Sequence, residues 1–347
     1  MEVLLRDLES DVTSLIRDFE SSQWKHVNDP STVSGLPVKD RESLRSTKME
    51  KLLYHTKTSG STGEPVTVQK TYLDRVWYLA TNAREFLWRK WDFTRKMAVV
   101  KPGLQENVLP SWGVPRAVAP VQGDTHVIGM MGIHELQKWL ERVSPDYLQC
   151  LPSIKNLIDF TRLPRMLDWK GTGECGGTMF SSEECGTIAI TCPDNPSVYH
   201  VMENQIVEVD DDGGMIISTM TNPYVRRYKN GDHIELGSCG CGRSLQTITR
   251  IRGRVRNMFV MPNGDRKWPL VGSRDYYDEF GIKRFKAIQT SLRAVELQIV
   301  SENLGDREAK VKELCRQSLG CDVEVSIKYV TGFPDYKFEE FVCMVNT

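Results

Sequence analysis

Thr58, Ser59, Gly60, Ser61, Thr62 and Gly63, followed by Glu64, Pro65 and Val66, put four hydroxyls and two glycines into six consecutive positions. Glycines let a backbone turn so that successive N–H groups aim at one anion. Hydroxyls add further donors for phosphate oxygens. Lys57 and Lys70 flank the stretch with positive charge. The same composition also describes a plain Ser/Gly linker, and the stretch is neither a GxxxxGK[ST] loop nor a strand–GxGxxG–helix unit. A second group is Cys192, His200, Cys239 and Cys241, the last two in a glycine-rich knuckle at 237–243. Three thiolates and one imidazole make a closed, tetrahedral zinc site of structural type. A Cys-x-Cys pair is less diagnostic than Cys-x-x-Cys, so buried thiols without metal are the other reading. Cys150, Cys175 and Cys185 lack the His/Asp pattern of a nucleophile. His126 and His134 read as ordinary polar residues.

The elements that must position these groups are legible in the periodicity. Val3, Leu4, Leu8, Val12, Leu15, Ile16 and Phe19 recur at helical intervals, so the chain opens with an amphipathic helix. The segment 30–37, bounded by prolines, breaks it. Residues 71–91 read as a second long helix. Between 97 and 150, strand-like stretches at 97–101, 127–130 and 146–150 alternate with a helix at 135–143, which predicts a largely parallel sheet. From 187 to 219 four short strands follow one another (187–191, 198–202, 205–209, 215–219), with an acidic turn at 210–214. Past 253 the pattern is a separate α+β unit. Val295, Leu297 and Ile299 alternate with polar residues, Asp306 is placed to cap a helix carrying Val311, Leu314 and Cys315, and 323–330 alternates again. Trp77, Trp88, Trp91 and Trp112 read as core or as the lining of an aromatic pocket.

A chain of 347 residues is long enough for two domains. Its 45 basic and 46 acidic residues leave a net charge of -1, with no basic run of the kind that binds nucleic acid or a membrane surface. No stretch approaches the roughly 20 apolar residues of a membrane helix. The N-terminus alternates charge and apolarity, unlike a signal peptide. Nine cysteines, an odd count, fit poorly with a secreted disulfide framework. These features predict a cytoplasmic protein.

The stretch 58–66 resembles the phosphate-binding signature of the adenylate-forming superfamily of acyl-CoA synthetases, peptide-synthetase adenylation domains and luciferases. Phe180 with Ser181-Ser182-Glu183-Glu184-Cys185-Gly186 is similar to that family's aromatic-Gly-x-Thr-Glu segment. Arg227-Tyr228-Lys229-Asn230-Gly231-Asp232 resembles its Arg-Tyr-x-x-Gly-Asp segment, and Gly253-Arg254 its hinge. Ser144-Pro145-Asp146-Tyr147-Leu148 and Pro152-Ser153 are similar to the phenylacetate–CoA ligase group, which includes the CapK-like proteins of capsular-polysaccharide biosynthesis. The resemblance runs from residue 50 to the end, and the shared order of the motifs carries it. It implies an α/β chain: a large N-terminal domain at 1–252, with mixed sheets and helices and a helical opening at 1–50, and a small mobile α+β domain at 253–347.

The implied chemistry is attack of a small-molecule carboxylic acid on the α-phosphorus of ATP, releasing pyrophosphate and leaving acyl-AMP. Such a site must position both reactants and offset accumulating negative charge. By the resemblance, Thr58, Ser59, Gly60, Ser61, Thr62 and Gly63 hold the phosphates, and Glu184 ligates Mg²⁺. Asp232 accepts from ribose hydroxyls, and Arg254 meets phosphate or ribose oxygens. Lys337, in Pro334-Asp335-Tyr336-Lys337-Phe338, resembles the family's mobile catalytic lysine, with Tyr336 where a glycine is usual. Read locally, Glu184 is equally a surface carboxylate beside Glu183, Asp232 the tip of a turn, and Arg254 and Lys337 solvated cations. Coenzyme A is the implied acyl acceptor; an amine or a sugar hydroxyl, or a nucleotide-binding protein without turnover, are the alternatives. Two departures stand out. Only residues 175–179 separate Gly173-Glu174 from Phe180, where relatives have a helix and a strand. Asn257 stands where an aspartate is expected after the hinge.

Overall fold

The computed structural model describes residues 2–25, 28–40, 43–44, 54–57, 67–101, 104–129, 131, 133–155, 158–171, 177–254, 259–262, 266–267, 279–282, 284–319, 322–332 and 341–345. By internal packing the chain divides into two units, residues 1–152 with 160–251 and residues 252–347 with 153–159.

The first unit opens with helix α1 (Glu2–Ser22). Its apolar stripe buries Val12, Ile16 and Phe19 against Val76, Ala80 and Ala83 of helix α2 (Tyr72–Trp88). Small residues on α2 let the two helices approach closely while the stripe leaves water. Before α2 lies an antiparallel hairpin, β1 (Tyr54–Lys57) and β2 (Thr67–Lys70), whose connection is the hydroxyl- and glycine-rich stretch. The phosphate-loop residues Thr58 to Gly63 themselves lie outside the described residues.

A five-stranded sheet follows, made of β3 (Met97–Val100), β4 (Asn107–Leu109), β5 (Thr125–Ile128), β6 (Tyr147–Cys150) and β7 (Asp168–Gly171) in the order β4-β5-β3-β6-β7. All pairs are parallel except β4 with β5. Helix α3 (Ile133–Val143) joins β5 to β6 and buries Leu136, Trp139 and Leu140. The alternating pattern thus forms the parallel sheet it predicts.

The remaining strands form a seven-stranded sheet of short antiparallel runs, each 3–10 residues long: β8 (Met179–Ser182), β9 (Gly186–Thr191), β10 (Tyr199–Val201), β11 (Gln205–Val209), β12 (Gly214–Thr219), β13 (Tyr228–Gly237) and β14 (Thr247–Arg254). Their order is β11-β12-β13-β14-β10-β9-β8. The acidic turn after β11 is set by Asp210, whose carboxylate accepts from the backbone of Gly214 at 2.7 Å and Asp212 at 3.1 Å. Thr81 of α2 donates to Thr187 of β9 at 3.0 Å, which seats the helix on this sheet.

The second unit has its own core. A short hairpin, β15 (Phe259–Val260) and β16 (Arg266–Lys267), accompanies a four-stranded sheet of β17 (Arg284–Ser291), β18 (Ala294–Val300), β19 (Glu324–Tyr329) and β20 (Phe341–Cys343), ordered β19-β18-β17-β20. Val295, Leu297 and Ile299 face inward against Val311, Cys315 and Leu319 of helix α4 (Glu308–Leu319). Asp306 is not the cap of α4: it lies within a 3-10 turn (Gly305–Arg307) that feeds the helix. No helix among the described residues is long and apolar enough to cross a membrane.

Candidate active site and metal centre

Glu184 sits in the turn between β8 and β9. It is only 5 % exposed, so it is not a surface carboxylate. The hydroxyl of Tyr228, the first residue of β13, donates to its Oε1 at 3.3 Å. Lys70, the last residue of β2, is equally buried, and its ammonium donates to the Glu184 carbonyl at 3.0 Å. The turn is fixed from below, because Gln205 Nε2 donates to the carbonyls of Cys185 at 3.0 Å and Thr187 at 3.1 Å. Burial, with the Glu184 carboxylate alongside, pushes the Cys185 thiol up to about 12. That agrees with the expectation that it is no nucleophile.

The strand leaving the loop is anchored as firmly. Thr71 caps α2 through a reciprocal box: its hydroxyl accepts from the Asp74 backbone at 3.0 Å, and Asp74 accepts from the Thr71 backbone at 2.9 Å. Thr71 also donates to the Thr221 carbonyl at 3.0 Å, Thr221 donates to Asp74 at 2.7 Å, and Asn222 donates to both Gln69 and Asp74 at 3.0 Å. The end of β2, the start of α2 and the turn before β13 are therefore one hydrogen-bonded piece.

Asp232 lies four residues beyond Tyr228 on β13, at a bulge. Gly214 pairs with His233 but Ile216 pairs with Lys229, so two steps along β12 oppose four along β13. Gly231 takes up the turn with φ 86. Asn230 Nδ2 donates to the Asp232 carboxylate at 2.6 Å, and the Asp232 backbone donates to Asn230 Oδ1 at 3.0 Å. A bulge of this kind re-aims a side chain at the edge of a ladder. Just before the strand, Arg227 adopts φ 43, held by Glu208 at 3.0 Å and by the carbonyls of Ser34 at 3.0 Å and Leu36 at 2.7 Å. Arg254 ends β14, with its side chain outside the described part, and Lys337 lies outside the described residues.

The end of β7 and the residue before β8 are tied to one residue of α2. Glu85 is fully buried; it pairs with Lys170 at 2.9 Å and accepts from Thr178. Lys170 also donates to Asn82 at 2.7 Å, and Thr178 accepts from the Gly171 backbone at 3.1 Å. Of the four tryptophans, Trp91 and Trp112 are core, Trp77 packs against that same core, and Trp88 lies edge-on to His200 with ring centroids 6.1 Å apart.

Cys192, His200, Cys239 and Cys241 converge as the sequence grouping anticipates. Their ligand atoms all lie within 4.8 Å of one another. Cys192 follows directly after β9 and His200 lies on the adjoining β10, while the knuckle brings in the other two thiols. Cys192 Sγ and Cys239 Sγ are 3.8 Å apart, and Cys241 Sγ is 3.2 Å from His200 Nε2. Two Zn–S bonds of about 2.3 Å at the tetrahedral angle separate their sulfurs by about 3.8 Å, so this donor set fits zinc. Burial holds His200 neutral, lowering it to about 4, with Arg243 and Arg84 adding to the effect. Neutral imidazole is the ligand form. Burial raises the Cys192 thiol to about 11, whereas at Cys241 burial is outweighed by the backbone and guanidinium of Arg243, which hold the thiol below its usual value.

No protein-family model and no curated protein matches the chain. Solved structures do. A 2-hydroxyisobutyryl-CoA ligase in its postadenylation state, in complex with 2-HIB-AMP, superposes with a TM-score of 0.68 at 13% identity, over 98% of this chain and 89% of that one. The chain has the adenylate-forming fold. Anthranilate CoA ligase AuaEII with anthranoyl-AMP is similar at a TM-score of 0.57 and 13% identity, over 81% of this chain and 63% of its own. The amide bond synthetase McbA from Marinactinospora thermotolerans is similar at 0.51 and 13%, over 87% and 69%. Within the adenylate-forming fold, the ordered motifs acquire places: Glu184 and Tyr228 touch, and Asp232 follows on the same strand. Lys70 and Tyr228 are the contacts that motif reading left unassigned. The signal for Lys70 is its place at the end of the strand that leaves the loop.

Proposed function

We propose that this chain is an AMP-forming acid ligase: it joins AMP from ATP to a carboxylic acid with release of pyrophosphate. The observation that carries the reading is the convergence of Lys70, Glu184 and Tyr228 beside the hairpin that bears the phosphate loop, in a chain of adenylate-forming fold. In this reading Thr58, Ser59, Gly60, Ser61, Thr62 and Gly63 hold the phosphates, Glu184 is the Mg²⁺ ligand, and Asp232 accepts from the ribose hydroxyls. Arg254 and Lys337, in the small mobile domain at 253–347, are the further residues assigned to the reaction. Mg²⁺ supplies charge neutralisation of the phosphates; the chain's own residues orient the nucleotide and keep water away. Coenzyme A is the acceptor we assign, as in a phenylacetate–CoA ligase-like enzyme, and the substrate acid is small. The experiment is pyrophosphate release from ATP and Mg²⁺ across a panel of aryl and aliphatic acids, with hydroxylamine and then coenzyme A as acceptors. Acid-dependent release that disappears in Glu184→Ala supports the reading. ATP binding without release for any acid argues for the second reading, a nucleotide-binding protein without turnover. That reading is favoured by the short interval, residues 175–179, between Gly173-Glu174 and Phe180.

We further assign Cys192, His200, Cys239 and Cys241 to a structural zinc ion. Four protein ligands leave no open position for substrate, so the metal cross-links β9, β10 and the knuckle.

A further inference from the structure

We propose that Arg243 sets how tightly the Cys192/His200/Cys239/Cys241 centre holds its metal, an inference that rests on reading the cluster as a zinc site. Arg243 follows the last thiol by two residues, and its side chain is 9 % exposed. One arm of the guanidinium, Nη1, donates to Cys192 Sγ at 3.9 Å and pairs with Asp194 in the turn that follows. The other edge, Nε, donates to Gln23 Oε1 at 2.9 Å. Its plane packs over Trp24 at 4.9 Å and Trp88 at 5.2 Å. The next residue fastens the same partners, because Ser244 donates to the carbonyls of Gln23 and Trp24, both at 2.8 Å. The segment after α1 therefore holds Arg243 in the one orientation that reaches a ligand sulfur.

Zinc with three thiolates and a neutral imidazole carries a net charge of -1 in a buried setting. A fixed cation that donates to one of those sulfurs offsets that charge and orients the ligand before metal arrives. The planar fork matters as well as the charge: it serves a sulfur, a carboxylate and an amide oxygen at once, which a lysine ammonium cannot do from the same backbone position. Removing an outer-shell partner of this kind typically weakens metal binding by about 10–100-fold.

The test is zinc competition against a chromophoric chelator, using the full-length wild type, Arg243→Met and Arg243→Lys, with metal content measured on each. The expected result is one zinc per wild-type chain and an affinity reduced by about 10–100-fold in Arg243→Met. If that variant does not fold, Arg243→Lys carries the test, with a loss of about tenfold expected despite its retained charge. Equal zinc affinity in wild type and folded variant overturns the role of Arg243 and leaves the metal centre standing. A wild-type chain that takes up no zinc overturns the metal centre, and Arg243's role with it.

Discussion

The hydroxyl of Tyr228 lies 3.3 Å from Oε1 of Glu184, across 44 residues of sequence, with both side chains buried. In the proposed reading of Glu184 as the Mg²⁺ ligand, this bond orients the carboxylate. Tyr228→Phe should therefore lower acid-dependent pyrophosphate release by about fivefold, the worth of about 1 kcal/mol for one hydrogen bond. Glu184→Gln should remove it almost wholly. Initial rates titrated against Mg²⁺ check both: Tyr228→Phe should demand more Mg²⁺, and an unchanged Mg²⁺ requirement would count against Glu184 as its ligand.

The β13 bulge makes a separate prediction. A Cβ at Gly231 meets nothing within 4 Å, so Gly231→Ala is opposed by its positive φ alone. That should cost about 1–2 kcal/mol of stability in urea unfolding. Asp232→Ala should raise the KM for ATP with little change in unfolding midpoint. A stability loss without any KM change would make Asp232 a turn residue and nothing more.

The metal centre predicts sensitivity to chelation. Stripping zinc, or Cys239→Ser, should lower the melting temperature by several degrees, since binding to the folded state alone stabilises it by mass action. Differential scanning fluorimetry with and without added zinc checks this, and a melting temperature indifferent to zinc in the wild type would contradict a structural ion.

The Lys170–Glu85 pair should show strong coupling. Breaking one partner, as in Glu85→Leu or Lys170→Met, strands a buried charge and should cost about 3–5 kcal/mol. Glu85→Leu combined with Lys170→Met should cost much less than the two single changes together. A double-mutant cycle by urea unfolding gives the coupling energy directly.

Cys185 should be inert. With its thiol raised to about 12, only about one molecule in ten thousand carries the thiolate at pH 8. Mass spectrometry after iodoacetamide treatment of the folded protein should find Cys185 unmodified until denaturant is added.

Much of this was legible in the sequence, for identifiable reasons. The stripe through Val12, Ile16 and Phe19, the alternation of Val295, Leu297 and Ile299, and the acidic turn at Asp210 are local patterns, and local sterics and burial decide them. Glu184 was ambiguous beside Glu183, because exposure is settled by whatever packs over a turn, and that proved to be Lys70 and Tyr228 from distant strands. Asp306 reads as a cap but lies inside a 3-10 turn, a feature frequent at helix N-termini.

By itself the sequence determined the two long helices of the first unit, the parallel sheet at 97–150, the run of short strands from 187 to 219, and which four side chains could together bind zinc. Residue type and period suffice for these because each depends on near neighbours. Only the tertiary structure decided that those four side chains meet, that Glu85 pairs with both Lys170 and Thr178, and that Arg243 joins the Cys192 sulfur to the segment after α1. Those are distances between residues up to 220 apart in the chain, and they follow from how strands register and helices seat, which no local pattern encodes.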